Sequence, residues 1–156
     1  AVAMATTGAE VIYQDAFGRR DLTRAEAMTA DSVFWLASMT KAITTVAMMG
    51  ENQIGDLAVT AMTSAVAAAS NDVELCPGVA RTWGFGFLVN TKRTPEGRSP
   101  GSLAWAGLGN TYYWSDPARD VAGVLLMQVL PFGDATCLDA FARFERGIYA
   151  GLRQPV

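Results

Sequence analysis

The sequence predicts an α/β domain of the α+β type, a mainly antiparallel five-stranded sheet flanked by helices. Three observations carry this. Two apolar and β-branched runs at the start are separated by Thr7-Gly8-Ala9, a hairpin signal. A strongly apolar run over 120–130 reads as a central strand. Two stretches with helical patterning, 38–49 and 135–150, stand on either side of the later strands.

Residues 1–6 and 10–17 form the first strand pair, and the charged and polar residues 18–32 connect it to the first helix. Asp31 or Ser32 is placed to cap that helix. The helix runs from Ser38 to Met49 and ends at Gly50. Glu51-Asn52-Gln53-Ile54-Gly55-Asp56 reads as a helix tail without a beginning, and the Ala-rich stretch after it becomes loop-like towards Pro77-Gly78. Residues 82–90 alternate aromatic and small residues as one strand, followed by a polar loop over 91–101. Residues 102–114 are strand-like with interruptions at Gly107 and Gly109, giving a strand at 102–109, and Asp116-Pro117 starts a turn before the strand at 120–129. Pro131-Phe132-Gly133-Asp134 caps the last helix, whose apolar residues Leu138, Phe141, Ala142, Ile148 and Tyr149 mark a core face. Short links between the later strands favour antiparallel pairing.

At 156 residues the chain holds one domain with a real core. Twelve basic and 15 acidic residues give a net charge of −3, with no basic patch on which nucleic-acid binding could rest. Lys41 and Lys92 are the only lysines, and there is no histidine. Two isolated thiols, Cys76 and Cys137, give a zinc site almost no ligands, so no metal or cofactor is expected, and they read as buried free thiols rather than a disulfide. Ala1 leads straight into a strand pattern, so no signal peptide is read and the cytoplasm is the expected compartment. The apolar stretch 32–50 carries Lys41 and several hydroxyls, and reads as a buried helix rather than a membrane span.

Ser38-Met39-Thr40-Lys41 is the chain's chemical centre. From Ser32 to Gly50 the one charged residue is Lys41. A spacing of three places Ser38 and Lys41 one turn apart on one helix face. A serine hydroxyl needs a base beside it to become a nucleophile. Burial of the lysine among apolar residues, which disfavours its charged form, would suit it to that role. Without histidine a Ser-His-Asp triad is impossible. Gly97-Arg98-Ser99-Pro100-Gly101 fits the G-x-S-x-G pattern, but Pro100 and a loop context make it a turn.

Four stretches resemble the serine β-lactamase and penicillin-binding-protein superfamily, most closely its class C-like carboxylesterase branch. Asp31 to Lys41 is similar to the nucleophile helix, with the S-x-x-K motif. Trp83-Gly84-Phe85-Gly86-Phe87 resembles the strand before the last motif. Trp105-Ala106-Gly107-Leu108 stands where β-lactamases carry Lys-Thr-Gly and many esterases Trp-Gly-Gly. Thr111 to Pro117, continuing into Gly123–Gln128, resembles the closing strands. The resemblance implies a β-lactamase/transpeptidase-like α/β domain, with Ser38 as nucleophile and Lys41 as base. It also implies a substrate-binding and oxyanion edge at Trp105, Ala106, Gly107 and Leu108, with the Leu108 and Ser38 backbone N–H groups holding the developing charge.

The chain departs from the family in two ways. An N-terminal helix is absent. So is the helical second domain, whose tyrosine motif works with the lysine; Tyr13, Tyr112, Tyr113 and Tyr149 lie in no such motif. The expectation is therefore a single α/β domain over 1–156 joined across a deletion near 49–51, or a sequence that omits an intervening segment. The function read from this is a serine hydrolase acting on small carboxylic esters through an acyl-enzyme. Trp105 in the lysine's place removes a cation for a β-lactam carboxylate. The alternatives are a non-catalytic or partner-dependent remnant of the fold, and a β-lactamase or D-amino-acid peptidase. The expected partner is a small ester, with self-association where the helical wall is missing.

Overall fold

The computed structural model describes residues 1–51, 81–83 and 87–152. The described strands form one seven-stranded sheet in the spatial order β2-β1-β7-β6-β5-β4-β3. They are β1 (Val2–Thr6), β2 (Val11–Ala16), β3 (Arg81–Trp83), β4 (Leu88–Asn90), β5 (Leu103–Gly107), β6 (Thr111–Asp116) and β7 (Val121–Leu126). Every neighbouring pair is antiparallel. The helices are α1 (Thr40–Glu51), entered through a 3-10 turn at Ala37–Met39, and α2 (Ala135–Gly151).

The antiparallel sheet and its two helices match the expectation; the strand count corrects it from five to seven among the described residues. The single strand expected over 82–90 is two strands, with Arg81 opposite Asn90 and Trp83 opposite Leu88, and residues 84–86 lie outside the described residues. The second addition is β6. The glycines at 107 and 109 end one strand, and Asn110 in the left-handed region at φ 57° turns the chain back.

Period-2 alternation sorts the sheet into two covered faces. Ala104, Ala106, Tyr112, Trp114, Val121 and Leu125 pack with Cys137, Phe141 and Ile148 of α2. Tyr112 stacks on Phe141 with centroids 4.7 Å apart, and Trp114 meets Phe144 edge-on at 5.3 Å. The other face places Val89 and Leu103 with Phe87 against Ala42 of α1. α2 starts as its sequence suggests: the Asp134 carboxylate accepts from the N–H groups of Thr136 at 2.9 Å and Cys137 at 3.0 Å. Cys137 is a buried free thiol, while Cys76 lies outside the described residues. Asp31 and Ser32 do not cap α1; both engage Thr29, and Asp31 also faces Arg20 at 3.6 Å. Gly50 does not end α1, which continues to Glu51. Among the described residues no helix is long and apolar enough to cross a membrane.

Candidate functional site

Residues 32–36 lead without regular secondary structure into the 3-10 turn, and Ser38 sits at its centre. Ala37, immediately before Ser38, has φ 49°. A side-chain-bearing residue in the left-handed region is costly and persists only where its surroundings hold it. The holding comes from the β5–β6 end of the sheet. The Leu36 carbonyl accepts from the Met39 N–H at 3.1 Å and from the Thr111 hydroxyl at 3.5 Å. At Gly107 a Cβ would fall 2.2 Å from the Leu36 oxygen and 2.3 Å from Thr111 Oγ1. Only glycine lets the end of β5 approach the turn that carries Ser38 this closely.

One turn into the helix, Lys41 Nζ donates to Ser38 Oγ at 2.9 Å. The pair therefore forms as the three-residue spacing suggests. The burial does not: Lys41 is exposed and Ser38 only half-buried. The correction has a plain cause. Ala42 and Met39 occupy the buried side of this segment, which turns Lys41 towards solvent.

The expected substrate edge lies beside the pair. Trp105 is half-buried and registers opposite Tyr113 on the face that Gly107 shares. Ala106 points the other way into the α2 core, and Leu108 is half exposed at the strand's end. An apolar hollow of about 360 Å³, lined by Met39, Ala42, Ile43, Phe87 and Tyr113, opens on the α1 side. The Tyr113 hydroxyl is buried without a hydrogen-bond partner, and burial pushes its pKa well above the usual phenol range. It is thus poorly suited to act as a phenolate base. Ser99 lies in the loop between β4 and β5, its N–H donating to Asp116 Oδ2 at 2.8 Å, and the Ser102 N–H closes a turn onto the Ser99 carbonyl at 3.2 Å, in keeping with the turn reading of Gly97–Gly101.

One contributor had no signal in the sequence. Gln128, just past β7, reaches the backbone of Trp35 across 93 positions of chain. Among the described residues no group of three or more His, Cys, Asp or Glu is placed to hold a metal ion.

The family model described as Beta-lactamase matches residues 1–67. No curated protein matches the chain. Among solved structures, a LovD6 mutant of simvastatin synthase from Aspergillus terreus is 21% identical over 74% of this chain and 34% of its own, with a TM-score of 0.59. Unliganded selenomethionyl simvastatin synthase from the same organism is 21% identical over 64% of this chain and 30% of its own, with a TM-score of 0.56. A β-lactamase from Mycobacterium bovis is 22% identical over 64% of this chain and 38% of its own, with a TM-score of 0.50. These likenesses are likenesses of fold, and the chain spans less than two fifths of the length of each of these three structures.

Proposed function

We propose, on the premise that this chain is of the serine β-lactamase and penicillin-binding-protein-like superfamily, that it is a serine hydrolase acting on small carboxylic esters. The observation that carries the reading is the 2.9 Å contact between Lys41 Nζ and Ser38 Oγ on a turn pressed against Gly107. The same contact, with the amine deprotonated, lets Nζ take the hydroxyl proton as Oγ attacks the ester carbonyl. The oxyanion that forms is held by the Ser38 and Leu108 backbone N–H groups. Its collapse expels the alcohol, protonated by the lysine ammonium, and leaves an acyl group on Ser38. Water, losing its proton to the lysine amine, then attacks the acyl carbonyl and releases the acid, and the returning proton restores the Ser38 hydroxyl. Trp105 and the apolar hollow beside Met39 and Ala42 support a small uncharged substrate over an anionic one. In this reading the chain is one α/β domain with a deletion near 49–51.

A second reading, the fold as a non-catalytic remnant, is favoured by one feature: the tyrosine motif of the family has no counterpart in the sequence. Hydrolysis of p-nitrophenyl acetate and of nitrocefin separates the readings. The ester should turn over faster than nitrocefin. Ser38→Ala should abolish ester turnover while Ser99→Ala retains it. Loss with Ser99→Ala alone would move the nucleophile, and acylation of neither serine would favour the remnant.

A further inference from the structure

We propose that Gln128 is a positioning residue for Ser38, clamping the Trp35 backbone so that the turn bearing the nucleophile keeps a single path. This rests on the reading of Ser38 as nucleophile. The alternation of β7 places Val124 opposite Tyr113, and continuing it beyond Leu126 brings Gln128 to the same face. There its side-chain amide does what a neighbouring strand would do. Oε1 accepts from the Trp35 N–H at 3.2 Å, and Nε2 donates to the Trp35 carbonyl at 3.1 Å. Both polar groups of one residue are satisfied by one side chain, in a segment that has no strand partner among the described residues.

The clamp has a fixed base. Gln128 Nε2 also donates to the Met127 carbonyl at 2.6 Å, and the Val129 N–H donates to the Gly109 carbonyl at 3.1 Å. The buried Asn110 amide donates to the carbonyls of Val129 at 2.7 Å and Pro131 at 2.9 Å, and the Tyr112 hydroxyl donates to its oxygen at 2.6 Å. A Cβ at Gly109 would stand 3.0 Å from Gln128 Nε2, so the small residue leaves room for the amide. The clamp has a definite target. Trp35 is followed by Leu36, whose carbonyl is tied to Thr111, and by Ala37 at φ 49°. Three successive peptide units are pinned just ahead of the strained residue that presents Ser38. A nucleophile held this way keeps its approach to the carbonyl, and a displacement of about 1 Å can cost on the order of 10²-fold in rate.

The test uses the full chain, p-nitrophenyl acetate as acyl donor, and two variants, Gln128→Met and Gln128→Glu. Gln128→Met keeps the length of the arm and loses both bonds. Its kcat should fall about 10-fold or more, KM should change far less, and amide exchange at Trp35 should speed up. Gln128→Glu can accept from the Trp35 N–H but, ionised, cannot donate to its carbonyl. Its activity relative to wild type should rise as the pH falls towards the carboxyl's own range, about 4–5. A general loss of stability would lower the melting temperature and leave that ratio flat. Wild-type kcat in Gln128→Met, or a pH-independent ratio in Gln128→Glu, would overturn the proposal while leaving Ser38 as nucleophile. A wild-type protein that is not acylated at Ser38 overturns the nucleophile itself, and the positioning role with it.

Discussion

Gly107 is where a single hydrogen atom decides the geometry of the site. Its missing Cβ makes room for the Leu36 carbonyl at 2.2 Å from where that carbon would be, and for Thr111 Oγ1 at 2.3 Å. Gly107→Ala must therefore push apart β5 and the turn before Ser38. Overpacking of this kind costs about 1–3 kcal/mol. The expected outcome is a modest fall in melting temperature with a disproportionate loss of Ser38 acylation, read by intact-protein mass spectrometry after exposure to an activated ester. A stable variant acylated at the wild-type rate would show that the strand end does not set the turn. Of this residue-scale arrangement the sequence showed Ser38, Lys41 and Gly107 by spacing and motif. It did not show that Lys41 faces water, because an apolar stretch says how much is buried and not which side. Gln128 was illegible for a different reason: its partner is 93 positions away, and nothing local in the sequence marks that contact.

At the scale of elements, α2 does more than cover one face of the sheet. It also fastens the loop between β4 and β5. Arg98 of that loop and Glu145 of α2 form an ion pair at 2.7 Å with side chains 3% and 1% exposed. Tyr149 donates to Asp116 Oδ2 at 2.8 Å, the same oxygen that receives the Ser99 N–H. Burial pushes the Glu145 carboxyl up from 4.5 to about 7, with the Arg98 guanidinium opposing the rise and Glu96 adding to it. An acid whose folded value is raised holds its proton in the native state over a range where the unfolded chain has lost it. Stability from this group is thus present below about 4.5 and declines as the pH rises to about 7. The decline should be on the order of 1–3 kcal/mol. Urea midpoints at pH 5 and pH 8 should reveal it, and Glu145→Gln, which mimics the protonated acid, should remove most of it. An unchanged pH slope in the variant would assign the effect to other groups. The helix itself was legible, since its apolar spacing and the Asp134 cap are local signals. The Arg98–Glu145 pair was not, because two charged residues 47 positions apart read as solvated until the fold brings them together. The strand pattern was legible where apolar runs are bounded by turn signals, in β1, β2, β5 and β7. It blurred at β3, β4 and β6, which read in the sequence as continuous with their neighbours.

At the scale of the whole molecule, the apolar surface around Ser38 bears on both activity and assembly. Val33 is 98% exposed, Trp35 and Ile43 57% each, and Leu108 50%, all close in sequence to Ser38 or to the β5 edge beside it. This chain spans about a third of the length of the solved chains it resembles, and the family resemblance implies a further domain beside such a surface. We propose that a polypeptide of 16.6 kDa with this sequence is a weak esterase that self-associates. The family resemblance implies a tyrosine partner for Lys41, and a polypeptide without one lacks acid–base help worth about 10²–10⁴ in rate. Exposed apolar side chains also favour burial against another surface, a second copy being the one always at hand. The measurement is steady-state ester hydrolysis alongside light scattering on protein whose mass has been verified. Slow turnover from dimers or larger species is the expected result, and dilution to monomer should leave each molecule's rate low. A monodisperse monomer of that mass with a kcat in the common enzyme range of about 1–10³ s⁻¹ would overturn the expectation. It would mean that a residue outside the tyrosine motif completes the proton path from Ser38 through Lys41.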